Sequence, residues 1–572
     1  MNDHHRDRRA GAWSRAGRVG ALVALGAFCA GCASVPRGDL ERAEENACVT
    51  GPYKVGRVDY DFEDEFDLVP SGGGMPAYPD VDVRATVRYP AKTAGVQQPV
   101  VGPKWWRRYP LIVFLHGNHA TCPCSCSHAC AAASRIPNHL GYDYLLDVLA
   151  SWGFVAVSID GFDVTCAGSF LMSDYEARGR LVLRHLERWQ DWSANGTDPW
   201  GGLFHQRLNG KVGLSGHSRG GEGVVAAEHI NRVEGLGFDI RAVNAIAPTD
   251  QDPGIHYVPQ RPYYLLLAAS DGDVSNLQGL RTYDRTSLAG AAAQSEKSMV
   301  WVYGANHNFF NTVWTPGFGA ACASDDGSGL GRISDALQRA VACQTIVPFL
   351  LHHLHGAGEI EWLPRDGRGP EGLEGVEMYG TYQHPTRLDV DSFDDGADNP
   401  NTNPLGGAVS TSGGFTTFDE FEFKSGGADT FNASFRHFTH GLVLGWNSTQ
   451  SYRTELPTAQ RDVSAFEALV LRAGQILDGE VLNALDTPRT LRLTLETGGG
   501  TLANVDFDVV GLQSIPYPYE YNGGKTVFGM VRIPLVSFRD GNQPLTLTDI
   551  RAVRIEFRGS GLVAIDDIQF SR

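Results

Sequence analysis

One serine stands between glycines where an apolar strand breaks into a helix, at Gly216-His217-Ser218-Arg219-Gly220. The run Lys211-Val212-Gly213-Leu214-Ser215 reads as the strand and Gly221 to Arg232 (GEGVVAAEHINR) as the helix. A strand that turns this sharply into a helix needs small residues on either side of the turn. It then lifts the serine hydroxyl above the sheet, with the helix N-terminus beneath it. The five-residue pattern alone is weak in a chain with 68 glycines. Its flanks carry the reading.

From Asp80 to about His355 the chain alternates strand and helix signals. Val81 to Tyr89 alternates at period two, and Leu111 to Leu115, Phe154 to Ile159, Lys211 to Ser215, Val243 to Ala247, Tyr263 to Ala268 and Met299 to Tyr303 are short apolar runs of buried-strand type. Helical patterns lie between and after them at Tyr142 to Trp152, Tyr175 to Trp192, Gly221 to Arg232 and Ile333 to Leu354. This alternation predicts an α/β architecture, a mostly parallel sheet covered by helices on both faces. After Pro385 the character changes. Short β-like runs from Gly441 to Phe570, many separated by turn signals such as Asn522-Gly523-Gly524 and Asp540-Gly541-Asn542, predict an all-β sandwich or jelly roll. The domain boundary falls near residue 386.

Four features stand in chain order at strand ends, where open parallel sheets gather their sites. Leu111 to Leu115 ends in His116-Gly117-Asn118, and the Ser218 turn follows. Tyr263 to Ala268 ends in Ser270-Asp271-Gly272-Asp273-Val274, and Met299 to Tyr303 ends in Gly304-Ala305-Asn306-His307. A serine hydroxyl is a poor nucleophile at neutral pH, so an imidazole must take its proton, and a carboxylate must hold that imidazole in one tautomer. Ser218, His307 and Asp271 fill these roles. The backbone amides of Asn118 and Arg219 are the expected oxyanion donors. Asp273 is a rival to Asp271 as the acid. Taken singly each residue has a plain reading, as a turn serine, a loop histidine or an Asp-Gly turn former. Glu222 reads as a carboxylate favoured at a helix start, and His352, His353 and His355 as structural residues late in a helix.

A length of 572 residues exceeds one core, and a net charge of −18 excludes a nucleic-acid partner. The N-terminus has the layout of an export signal over residues 1–31: Arg6, Arg8, Arg9, Arg15 and Arg18, then the apolar run Val19 to Ala30. That run is too short to span a bilayer. Ala30-Gly31-Cys32 resembles the end of a bacterial lipoprotein signal, although Cys29 stands where leucine is usual. Two outcomes stay open: an outer-membrane lipoprotein anchored through Cys32, or a secreted product. Eight cysteines follow, Cys48, Cys122, Cys124, Cys126, Cys130, Cys166, Cys322 and Cys343. An even count in an exported chain predicts disulfides, with Cys322 paired to Cys343 and the Cys122–Cys130 cluster meeting the Cys166 loop. A metal site in the cluster is the alternative.

Residues 50 to 355 resemble α/β hydrolases of the branch holding platelet-activating-factor acetylhydrolases, chlorophyllases and cutinase-like polyester hydrolases. Gly216-His217-Ser218-Arg219-Gly220-Gly221, Asp271-Gly272-Asp273-Val274 and Gly304-Ala305-Asn306-His307 carry that resemblance. It implies ester hydrolysis through an acyl-enzyme without a cofactor, on a small-molecule, lipid or polymer ester, over residues 32–385, and it favours Asp271 as the acid. The cysteine-rich insertion after Asn118 departs from the family. Residues 386–572 resemble the galactose-binding-like sandwiches attached to exported hydrolases, through Asp391-Ser392-Phe393-Asp394-Asp395-Gly396 and Ile565-Asp566-Asp567-Ile568. That resemblance implies a polysaccharide partner and a structural Ca²⁺ held by Asp391, Asp566 and Asp567, oxygen ligands suited to this ion. The rival readings are an amidase or peptidase, and a glycan-binding surface lipoprotein without catalysis.

Overall fold

A computed structural model of the chain describes residues 50–68, 78–102, 107–123, 125–126, 128–165, 174–251, 257–288, 295–314, 333–356, 373, 376–394, 400–425, 428–429, 435–478, 481–483, 489–507, 515–520 and 524–572. The export-signal segment, Cys32, Cys48, Cys124, Cys166 and Cys322 lie outside them. No described helix is long and apolar enough to cross a membrane.

Ten strands build one sheet: β1 (Lys54–Leu68), β2 (Tyr78–Ala91), β3 (Gly95–Val96), β4 (Tyr109–Leu115), β5 (Val155–Ile159), β6 (Leu208–His217), β7 (Asp239–Ile246), β8 (Tyr263–Ala268), β9 (Lys297–Val302) and β10 (Met378–Gln383). Their order is β10-β9-β8-β7-β6-β4-β5-β2-β1-β3. The strands from β9 to β5 in that order run parallel. β10 runs antiparallel to β9, β2 runs antiparallel to β5, and β1 forms a long antiparallel pair with β2. The helices are α1 (Asp143–Ser151), α2 (Asp174–Ala194), α3 (Gly201–Phe204), α4 (Arg219–Glu234), α5 (Gly279–Leu288) and α6 (Asp335–Leu350).

This arrangement corrects the expected α/β-hydrolase fold, a mostly parallel sheet with helices on both faces. The chain is mostly β, its large sheet is mixed, and the six α-helices among the described residues are a minority beside the strands. Much of the difference lies in the antiparallel borders. β1 turns Asp59, Asp61 and Glu63 outward and buries Val58 and Tyr60. Carboxylates are depleted in strands, so this alternation does not stand out as one. β10, rich in tyrosine and lying just before the change of composition, is equally inconspicuous.

The described part of the C-terminal region holds two large antiparallel sheets and two two-stranded ones. Its strands are β11 (Arg387–Asp391), β12 (Val409–Thr411), β13 (Phe415–Glu422), β14 (Lys424–Ser425), β15 (Ala428–Asp429), β16 (His440–Trp446), β17 (Gln450–Glu455), β18 (Ala468–Gln475), β19 (Leu491–Thr497), β20 (Leu502–Phe507), β21 (Gly529–Pro534), β22 (Arg539–Asp540), β23 (Gln543–Pro544), β24 (Ile550–Phe557) and β25 (Gly561–Ser571). One large sheet is ordered β13-β16-β25-β18-β21 with β11 also on β25, the other β12-β17-β24-β19-β20, and the two-stranded ones are β14-β15 and β22-β23. Leu442, Leu469 and Ile565 of the first share a core with Leu493, Val553 and Ile555 of the second. Apolar burial of this kind is the main stabilising term of both regions. The regions also join each other: Val527 enters the core of the ten-stranded sheet, and Tyr382 of β10 packs with Ala468, Val470 and Met530.

Candidate active site

Parallel register brings the ends of four strands to one edge. Leu115 pairs with Gly216, His217 with Ile246, Ile246 with Leu266, and Ala268 with Val302. The segments after β4, β6, β8 and β9 therefore emerge together, carrying Asn118, Ser218, Asp271 and His307.

Ser218 caps α4 with φ 57° and ψ −127°, a backbone region that residues with a Cβ rarely occupy. The strain is held from both sides. A Cβ on Gly216 would stand 2.2 Å from the Gly220 carbonyl oxygen, so the turn closes only on glycine. A Cβ on Gly117 would lie 2.5 Å from that of Ser218, which lets the loop after β4 approach the serine. The Ser218 amide donates to the Ile246 carbonyl at 2.9 Å, tying the turn to β7. The first amides of any helix lack an acceptor one turn earlier, so the start of α4 presents donors beside this hydroxyl.

Asp271 and His307 meet directly. His307 Nδ1 lies 2.9 Å from Asp271 Oδ2, with both residues about 1 % exposed. A carboxylate only accepts, so the proton sits on Nδ1 and the basic lone pair on Nε2. The other Asp271 oxygen accepts from the amides of Asp273 at 3.0 Å and Val274 at 2.6 Å. Asp273 behaves differently. Its side chain is 53 % exposed, and its carboxylate stands 3.6 Å from Nε2 rather than on Nδ1. Geometry thus separates the two candidate acids: one orients the ring, the other faces its reactive side from solvent. The His307 ring lies 5.0 Å, centre to centre, from that of His217, the neighbour of Ser218.

Several residues that sequence reasoning missed hold this edge in shape. His116 Nε2 accepts from the Gly161 amide at 2.9 Å, so its proton is on Nδ1, 2.7 Å from the Gly117 carbonyl. Burial pushes its pKa down, which keeps the ring neutral and that tautomer fixed. His217 sits against Tyr142, whose hydroxyl is 2.9 Å from Nδ1, and burial also lowers its pKa strongly. Beneath the turn, Asp174 accepts from both Arg178 and Arg219 at 3.0 Å, and Arg178 donates to the His116 carbonyl at 3.3 Å. One signal for this network was legible: Arg178 shares the buried stripe of α2 with Leu181, Val182 and His185. A charge on an apolar stripe needs a partner. Glu222, read as a helix-start carboxylate, accepts from Thr249 and from the Gln251 amide, both at 2.6 Å. His119 stacks on Trp314 at 5.0 Å and 11°, and burial pushes its pKa down to about 4.

The cysteine cluster holds disulfide chemistry. Cys122 and Cys130 are bonded to each other, and Cys126 and Cys343 each take part in a separate disulfide. The described cysteines of the cluster are therefore not thiolate ligands, which speaks against the metal reading.

The residues expected to hold Ca²⁺ do not fit it. Arg472 donates into the space between Asp566 and Asp567, with Nε 2.7 Å from Asp567, and its third nitrogen reaches Asp284 at 3.0 Å. Asp391 is elsewhere engaged, accepting from the Tyr452 hydroxyl at 2.6 Å. A guanidinium thus supplies the positive charge that a cation would bring. Burial, then the adjacent Asp567 carboxylate, push Asp566 well above the usual carboxylate range. Among the described residues, Glu296, His352 and His353 are spaced to hold a metal ion. Glu296 is already committed to His353 at 3.0 Å and to the Tyr382 hydroxyl at 2.9 Å. A cavity of about 550 Å³ lined by Leu111, Trp189, Val212 and Phe238 lies at the opposite ends of the strands from Ser218.

No protein-family model matches this chain, and no curated protein matches it significantly.

Proposed function

We propose that this protein is a serine hydrolase that cleaves carboxylic esters. One observation carries the reading: a serine held at positive φ on a strand-to-helix turn shares one strand edge with a buried histidine whose Nδ1 is bonded to a buried aspartate. Ser218 Oγ attacks the acyl carbon while His307 Nε2 takes its proton. Asp271 keeps the Nδ1–H tautomer and stabilises the imidazolium that forms. The amides of Asn118 and Arg219 stabilise the tetrahedral oxyanion, each donor contributing about 3–4 kcal/mol to the transition state. Collapse expels the alcohol, which leaves with the proton from His307. Water then attacks the acyl-enzyme with His307 again as base, and the acid departs from a restored serine.

The Arg-rich start, the apolar run Val19 to Ala30 and the Cys122–Cys130 disulfide support an exported protein. A fluorophosphonate probe tests the chemistry: it should attach to Ser218 of the native protein, and heat-unfolded protein should remain unlabelled. A panel of p-nitrophenyl esters of graded chain length then reads the acyl preference. Native protein that neither labels nor hydrolyses any of them would remove the proposal.

A further inference from the structure

The C-terminal region reaches into the site from behind. Tyr519 and Lys525 pair through both of their backbone amides, at 2.9 and 2.8 Å. Lys525 is fully buried, and its ammonium donates to the carbonyls of Ala269 at 2.7 Å and Asp271 at 3.3 Å. These are the carbonyls of the turn that presents the Asp271 carboxylate to His307. The Tyr519 hydroxyl joins the Ser270 hydroxyl and accepts from the Gly304 amide at 3.2 Å. One side chain thus bridges the loop of the acid and the loop of the histidine. Its ring packs at 4.6 Å from Tyr303, which itself donates to the Tyr517 carbonyl.

A buried ammonium is costly unless it is well bonded, so a lysine aimed at these two carbonyls marks a point where position matters. The ammonium pins the acid's turn, and the hydroxyl ties that turn to the loop of the histidine. We propose that Tyr519 and Lys525 are positioning residues for the Asp271–His307 pair, and that the C-terminal region is a structural part of the active site. This rests on the hydrolase reading, in which that pair must hold one geometry through proton transfer. A separate binding module would have no need to place a buried cation at the base of the acid's turn.

The test uses the full-length protein, Lys525→Met and Tyr519→Phe. The readouts are the rate of fluorophosphonate attachment to Ser218 as a function of pH, kcat and KM on one p-nitrophenyl ester, and the melting temperature. Lys525→Met should slow labelling and kcat by about tenfold to a hundredfold with KM nearly unchanged, as small misplacements of catalytic groups do. Tyr519→Phe should slow them less. In Tyr519→Phe, which changes no charge, the acid limb should move to lower pH, because a loosened Asp271 stabilises the His307 imidazolium less; in Lys525→Met the loss of a nearby positive charge opposes that shift, so this variant is read by its rates. A purely structural role would lower the melting temperature and leave that limb in place. Folded variants with wild-type rates, or a folded Tyr519→Phe with an unmoved acid limb, overturn the inference while leaving Ser218 chemistry intact. If Lys525→Met does not fold, Tyr519→Phe decides alone. Failure of the wild type to label overturns the hydrolase reading itself.

Discussion

Two regions of this molecule set a pair of aspartates one or two residues apart at a functional-looking position, and they use them in opposite ways. After β8, Asp271 and Asp273 flank a glycine. Within β25, Asp566 and Asp567 are adjacent. The first pair meets an imidazole, a group that can gain and lose a proton near neutral pH, with one carboxylate on Nδ1 and the other 3.6 Å from Nε2. The second pair meets Arg472, a permanent cation whose nitrogens bind both carboxylates. A histidine beside a carboxylate can exchange a proton. An arginine beside one can only hold it. The nature of the partner decides between chemistry and structure; that partner follows 36 residues after Asp271 but lies 94 residues before Asp566.

The largest expected effect falls on the first pair. Asp271→Asn leaves His307 in the wrong tautomer and should lower kcat by ~10⁴, the loss seen for the same change in well-studied triads. Stopped assays on a p-nitrophenyl ester read this directly. A smaller loss for Asp271→Asn than for Asp273→Asn would exchange the roles of the two acids.

Next comes the second pair. Arg472→Met leaves Asp566 and Asp567 buried without their cation, and Asp284 with His437 alone, and should destabilise the fold by about 3–5 kcal/mol, measured by denaturant unfolding. Chelator added to the wild type should leave its melting curve unchanged. A melting temperature raised by Ca²⁺ and lowered by chelator would restore a metal to this place and break the contrast.

Asp273→Asn should be milder, lowering kcat by less than about tenfold. Its carboxylate faces Nε2, so removing it destabilises the imidazolium and should shift the acid limb of kcat/KM to lower pH. An unmoved limb would mean that Asp273 does not sense the base.

How much of this was legible in the sequence follows from distance along the chain. The strands β4, β6, β8 and β9 announce themselves as apolar runs, and the residues that follow them supply the serine, acid and base of the proposed triad. Asp271 and His307 are close enough, and similar enough in setting, to be paired by order alone. Arg472 reads as one more polar residue of a strand, and nothing local reveals that three carboxylates converge on it. Lys525 lies some 250 residues from the turn it supports, in a segment whose only local signal is Asn-Gly-Gly. β1 escapes for another reason: its outward acids hide the alternation of its buried face. The overall fold suffers accordingly, because antiparallel borders come from strands with weak patterns.

The smallest effect concerns Lys297, which lies near Arg472 at the junction of the two regions. Burial first, and then Arg472, push its pKa down to about 7. Its folded value lies below its unfolded value, so between about pH 7 and 10 the unfolded chain binds more protons and stability rises with pH. Lys297→Met removes this dependence. The variant's melting temperature, relative to wild type, should therefore be higher at pH 6.5 than at pH 9. A gap independent of pH would place the lysine in a more polar setting than its full burial implies.

The central claim is that Ser218 is a nucleophile and His307 its base. Wild type, Ser218→Ala and His307→Ala should be compared for fluorophosphonate labelling and p-nitrophenyl ester hydrolysis, with melting curves recorded on each. Wild type should label at Ser218 with one equivalent, and both variants should melt normally yet lose about three orders of magnitude or more in kcat, leaving only oxyanion and binding contributions. Full esterase activity in a normally folded Ser218→Ala would contradict the account.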